Sequence, residues 1–138
     1  MTKTKQYNDF ACVAACFESI KRDLGDADFS HEAFIRENLG LFNGGTEIEG
    51  SCPLENIPEV ACRMGLDCRP HEANVINLAD GAVILYVWMG NSLDNKHCVR
   101  LAGFSGESVI IMDPNVAEMR AIPGTWVKKA FLIRAQQT

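Results

Sequence analysis

The stretch Gln6-Tyr7-Asn8-Asp9-Phe10-Ala11-Cys12-Val13-Ala14-Ala15-Cys16 changes character at Ala11, where polar turn formers give way to strong helix formers. Beyond it, Val13, Phe17, Ile20 and Leu24 recur at spacings of four, three and four, which predicts one apolar helical stripe. Gly25 is a natural stop, so the helix is expected from Ala11 to Leu24, capped by Asn8 or Asp9. Cys12 then falls in the first turn. A helix N-terminus carries roughly half a positive charge and unsatisfied N–H groups, and both favour a thiolate over a thiol whose free pKa is about 8.5. The residue at the head of this helix is therefore a candidate nucleophile.

Working outward, a nucleophilic thiol needs a base and a group that orients the base. Lys96 to Gly103 alternates as a short strand and carries His97 near its start. Ser108 to Met112 reads as a second strand and runs into Asp113, just before Pro114. Phe104-Ser105-Gly106-Glu107 is short enough to close a hairpin, which sets His97 and Asp113 side by side. Asp94 competes as partner of His97, but a strand end holds a side chain more rigidly than a loop, so Asp113 is preferred. His31 is expected to be exposed in a helix first turn with no acidic neighbour, and His71 to be a loop residue. His97 is thus the expected base.

The order Gln6, Cys12, His97, Asp113, with Gln-x5-Cys, Cys-x3-Cys and a strand-turn-strand ending in Asp-Pro, resembles bacterial papain-like cysteine peptidases. These include bacteriocin leader peptidases, whose cysteine segment is similar to Asp-Cys-Gly-Pro-Ala-Cys, and plant-pathogen effector proteases, with Cys-Trp-Ala-Ala-Cys. The resemblance covers most of the chain from Gln6 to about Ile133. It implies Cys12 as nucleophile, His97 as general base and acid, Asp113 as its orienter and Gln6 as an oxyanion-hole donor. It also implies a peptide or protein substrate. Val13 departs from the glycine or tryptophan usual there, and a β-branched residue at that point narrows the cleft or alters substrate choice. The same thiol chemistry would serve a side-chain deamidase or an acyl transferase, and an inactive peptidase-like binding module is the third reading.

The remaining chain predicts an α+β arrangement, an N-terminal helical half packed on a C-terminal antiparallel sheet with the cleft between them. The first five residues read as a loose or edge segment. Ser30 caps a short helix over 31–39 that stops at Gly40, and the glycine-rich loop 41–50 is placed at the cleft border. Ser51 or Cys52 caps a third helix beginning at Pro53 and ending at Gly65; Pro58 either kinks it or makes it begin after Asn56. Residues 66–70 read as extended and 74–78 as a short helix or turn. Ala82 to Trp88, dense in β-branched and aromatic residues, is the expected central strand. Residues 117–122 and 126–133 add strands around a Pro123-Gly124 turn.

Composition narrows the partners. At 138 residues and 47% hydrophobic content, the chain fits one domain spanning 1–138. A net charge of -5 argues against nucleic acid and anionic membranes, and no apolar run reaches a membrane span. Lacking a signal region, the protein is expected to be cytoplasmic, or secreted or injected without a cleaved signal peptide. Six cysteines, Cys12, Cys16, Cys52, Cys62, Cys68 and Cys98, are then expected to stay reduced, with Cys16 a small buried residue behind Cys12. Their spacings match no zinc knuckle, so neither a metal nor a cofactor is expected.

Overall fold

The computed structural model describes residues 1–71 and 81–136. The expected helix or turn over 74–78 lies outside these. Among the described residues three α-helices precede six strands, α1 Cys12–Asp23, α2 His31–Glu37, α3 Ile57–Arg63, then β1 Leu66–His71, β2 Ala82–Trp88, β3 Lys96–Ser105, β4 Ser108–Asp113, β5 Glu118–Pro123 and β6 Val127–Ala135. The strands form one antiparallel sheet in the order β1-β6-β2-β3-β4-β5. This is the expected α+β arrangement, with Ala82 to Trp88 inside the sheet.

The alternation of side chains along each strand divides the core in two. One face packs on the helices, with Phe17, Ile20, Ile35, Ile57, Ile84, Cys98 and Phe131 all buried there. The other face gathers Val83, Leu85, Val99, Leu101, Ile111, Ile122 and Leu132 from the strands alone, with Met89, Trp126 and Val127 against it. Consecutive residues of β2 and β3 thus belong to different clusters, which is why Ala82 to Trp88 is apolar on both faces.

Several local expectations are corrected. Neither Asn8 nor Asp9 caps α1; Ala11 occupies the N-cap and no side chain bonds there. Asn8 is occupied elsewhere, accepting from the Phe10 N–H at 2.9 Å and donating to the Glu49 carbonyl at 3.1 Å. The first residues are not loose. Thr2 bonds Asp23 through its N–H at 2.9 Å and its hydroxyl at 2.6 Å, and Thr4 is buried. Ser30 does cap α2, accepting from the Ala33 N–H at 3.2 Å, but the helix ends at Glu37 and a 3-10 turn over Leu39–Leu41 follows. The Pro58 conflict is resolved by a separate 3-10 turn at Leu54–Asn56, after which Pro58 sits in the first turn of α3, where its missing N–H costs nothing. No side chain caps that 3-10 turn; Pro53 takes its N-cap position, so neither Ser51 nor Cys52 acts as the expected cap.

His31 differs most from its expectation. It is 5% exposed, and its Nδ1 faces Glu18 Oε1 at 3.2 Å while its own backbone N–H donates to the same oxygen at 2.9 Å. The Tyr7 N–H donates to Nε2 at 3.1 Å, so that nitrogen carries the lone pair and Nδ1 the proton. His31 therefore locks α1, α2 and the approach to Cys12 together. Its carboxylate partner comes from a helix thirteen residues earlier, a contact made only by packing.

Candidate active site

Cys12 opens α1, and the absence of a side-chain cap leaves the first-turn N–H groups free to meet a charge in front of them. No acidic residue lies in that turn to cancel the dipole. The opposite wall is the start of β3. Cys12, Val13, Cys52, Leu54, Tyr86, His97 and Cys98 border one cavity of ≈ 280 Å³ between helices and sheet. The loop expected to border it contributes only its continuation, Ser51 to Leu54.

β3 and β4 pair Arg100 with Met112, so Asp113 stands one step beyond, on the same face as His97 and diagonal to it. His97 Nε2 meets Asp113 Oδ1 at 2.7 Å. An ionised carboxylate accepts only, so Nε2 carries the proton and Nδ1 is left with the lone pair, the arrangement a base needs. Asp113 is 2% exposed, and its remaining valences are met by the Asn115 N–H at 3.0 Å on Oδ1 and by Arg120 Nη1 at 3.4 Å on Oδ2. Asp94, the competitor, is exposed in the loop before β3.

The charges are coupled accordingly. Hydrogen bonding from the Cys98 thiol, helped by the bond to and charge of His97, holds the Cys12 thiol well below its ordinary range, although burial works to raise it. Burial by itself would lower His97, but the bonds to Asp113 and Cys12 and the charges of both hold it up to about 9. Burial works to raise Asp113, yet the His97 and Asn115 hydrogen bonds and the His97 and Arg120 charges keep it below the usual carboxylate range. Both shifts run in the direction that favours a Cys12 thiolate beside a protonated His97, the form in which Nδ1 also carries a proton.

Gln6 is buried, not a surface residue, and its backbone N–H donates to the Pro114 carbonyl at 2.8 Å, which ties it to the end of β4. Its Nε2 donates to the Asn8 carbonyl at 2.9 Å, leaving the second amide hydrogen unused, and its Oε1 has no protein partner. Gln6, His97, Asp113 and Arg120 border a second cavity of ≈ 250 Å³ that shares Lys96 and His97 with the first. Asp113 is thus bonded to the His97 ring, while Cys12 and Gln6 border separate cavities that meet at Lys96 and His97.

Two neighbours were missed. Arg120 reaches Asp113 from β5, and only the strand register, which sets Arg120 opposite Ile111, brings it there. Cys98 was one cysteine among six; its position next to His97 on a strand was the available signal. Cys16 is fully buried behind Cys12, with its Sγ at 3.8 Å from the Cys98 carbonyl. His71 closes β1, and no group of His, Cys, Asp or Glu suited to a metal ion occurs among the described residues. Among them, too, no helix is long and apolar enough to cross a membrane.

No protein-family model matches the sequence, and no curated protein matches it. Solved structures do match in fold. The peptidase domain of Streptococcus ComA, a bifunctional ABC transporter involved in quorum sensing, is 18% identical, with 98% of each chain covered and a TM-score of 0.73. A double glycine motif protease from an AMS/PCAT transporter, in complex with its leader peptide, is 18% identical over 99% of this chain and 93% of that one, with a TM-score of 0.69. The N-terminal peptidase C39-like domain of a toxin secretion ATP-binding protein from Vibrio parahaemolyticus is 14% identical over 94% and 99%, with a TM-score of 0.63. The fold is that of these peptidase domains, a papain-like α+β fold, as the motif around Cys12 led one to expect.

Proposed function

We propose that the protein is a cysteine peptidase that cleaves a peptide substrate through a Cys12 thioester, with 1–138 acting as a single domain. The observation that carries this is the 2.7 Å bond from His97 to Asp113, which leaves the other ring nitrogen as base beside a thiol at the uncapped head of α1. In this reading His97 Nδ1 holds the Cys12 proton and the thiolate attacks the scissile carbonyl. The oxyanion is held by first-turn N–H groups of α1 and by the spare Gln6 amide hydrogen. His97 then protonates the leaving amine, and a water that gives its proton back to His97 hydrolyses the thioester.

The leader peptide bound to the double glycine motif protease of the AMS/PCAT transporter supports a peptide substrate, which would enter the cleft lined by Val13, Leu54 and Tyr86. The test is incubation with a peptide carrying Gly-Gly, read by mass. Two fragments whose masses sum to the substrate plus one water are expected. One product heavier by the difference between acid and amide would mean deamidation instead, and binding with no mass change would overturn the reading in favour of an inactive module.

Arg120 supplies a further prediction. Arg120→Gln removes a cation beside Asp113, so the imidazolium becomes easier to hold and the alkaline limb of turnover, near pH 9, should move up. Half-exposed ion pairs are worth about 0.2–1 kcal/mol, so kcat should fall by about fivefold at most. A pH–rate profile checks this. A limb that stays put or moves down would show that Arg120 does not act through His97.

A further inference from the structure

Peptide hydrolysis uses one thiol, yet four crowd this cleft. Cys12, Cys52 and Cys98 border the same cavity, Cys16 lies one helical turn behind Cys12, and all are free. We propose that Cys98 is a resolving partner for Cys12, so that a hydroperoxide converts the pair to a Cys12–Cys98 disulfide across the contact between α1 and β3. This rests on Cys12 being the thiolate of the proposed function. The linked form is inactive and reducible, and it spares Cys12 from irreversible oxidation.

The surroundings select Cys98 over the other two. Cys98 faces α1 from the helix side of β3, 4% exposed, in the buried cluster against which Cys12 packs and on the wall of the same cavity. Cys16 sits four residues further along the same helix, where Cβ atoms are about 5–6 Å apart against the roughly 3.8 Å a disulfide needs. Its Sγ is also engaged with the Cys98 carbonyl at 3.8 Å. Cys52 belongs to the loop wall, and its thiol is directed to the Pro53 carbonyl at 3.4 Å. Because Cys98 is shielded, an oxidant entering the cleft meets the Cys12 thiolate first.

The chemistry balances with hydroperoxide as the one oxidant. The Cys12 thiolate attacks the terminal peroxide oxygen, the O–O bond breaks, and the departing alkoxide or hydroxide takes up a proton, leaving a sulfenic acid. The Cys98 sulfur then attacks the Cys12 sulfur and the S–O bond breaks. The Cys98 proton leaves with the hydroxide as water. Two thiols are oxidised to one disulfide, and one peroxide is reduced to alcohol or water, plus water.

The experiment treats wild type, Cys98→Ala and Cys98→Ser with a several-fold excess of hydrogen peroxide, enough to carry an unprotected thiol beyond sulfenic acid, then blocks free thiols in acid and maps peptides by mass. Wild type should lose two hydrogens, yield a Cys12–Cys98 linked peptide and regain full Cys12 labelling after dithiothreitol. Both variants should carry sulfinic or sulfonic acid on Cys12 and lose that recovery. If neither variant folds, the wild-type map alone decides. A linkage from Cys12 to Cys16 or Cys52, or over-oxidised Cys12 with no linkage in wild type, overturns the assignment. The peptidase reading is separable by iodoacetamide labelling at about pH 6, where an ordinary thiol is almost unreactive. A Cys12 that labels there yet never links to Cys98 overturns the resolving pair alone; one that neither labels nor oxidises overturns both.

Discussion

Cys12→Ala is expected to lower kcat on a Gly-Gly peptide by a factor on the order of 10⁵ to 10⁶, the loss seen when a hydrolase is deprived of its nucleophile. The remaining rate comes from substrate binding and the oxyanion donors, which stay in place. No other described thiol can take over. Burial pushes Cys16 well above the ordinary thiol range, Cys52 up to about 12 and Cys68 up to about 11; Cys98, raised first by the hydrogen bond to Cys12 that this variant removes, is still raised by burial. The exposed Cys62 lies on α3, outside the cleft. The substitution should leave the fold intact, because Cys12 is only partly buried at the first helical position and alanine is the best helix former. Turnover measured beside thermal unfolding separates the two effects. Activity within about tenfold of wild type, at an unchanged Tm, would remove Cys12 from the role of nucleophile.

His97→Ala has the second largest effect, and it is visible without a substrate. The bond to and charge of His97 help to hold Cys12 as a thiolate at neutral pH, so losing the ring should return it towards an ordinary thiol. At about pH 6 a thiol of pKa about 8.5 is roughly 0.3% ionised. Because the Cys98 contribution remains and a low-pKa thiolate is the weaker nucleophile, alkylation should slow by on the order of a hundredfold at most. The wild-type pH dependence has a defined sign. Labelling rises as Cys12 deprotonates on the acid side and persists above pH 9, because the thiolate remains. Peptide turnover instead falls as pH rises through about 9, because His97 loses the proton that the leaving amine requires. Coincident alkaline limbs for labelling and turnover would contradict the assignment of that limb to His97.

The helix around Cys12 was legible because its signals are local. Four apolar residues at helical spacing and a glycine stop depend on no distant neighbour, and the helix runs within one residue of its expected ends. The β3–β4 hairpin was legible for the same reason, since a two-residue turn at Gly106-Glu107 forces its strands together and brings His97 to Asp113. Caps were less legible. Asn8 has the right chemistry for a cap, yet its amide is drawn to Glu49, forty-one residues away. His31 illustrates the same limit, because its buried position and its Glu18 partner arise where two helices pack, and sequence spacing carries no record of that.

By itself the sequence determined the elements whose forces act within a few residues: the helix headed by Cys12, the hairpin that pairs His97 with Asp113, and the α+β order of helices before strands. Only the tertiary structure decided what crosses between them. The sheet order brings β5, and with it Arg120, to the far oxygen of Asp113. The packing of α1 on β3 sets Cys98 and Cys12 on the wall of one cavity, and the chain before α1 is held so that Gln6 reaches the end of β4. Burial and charge add over distance in space, and a linear pattern reports distance in space only where a turn or a helix makes the two the same.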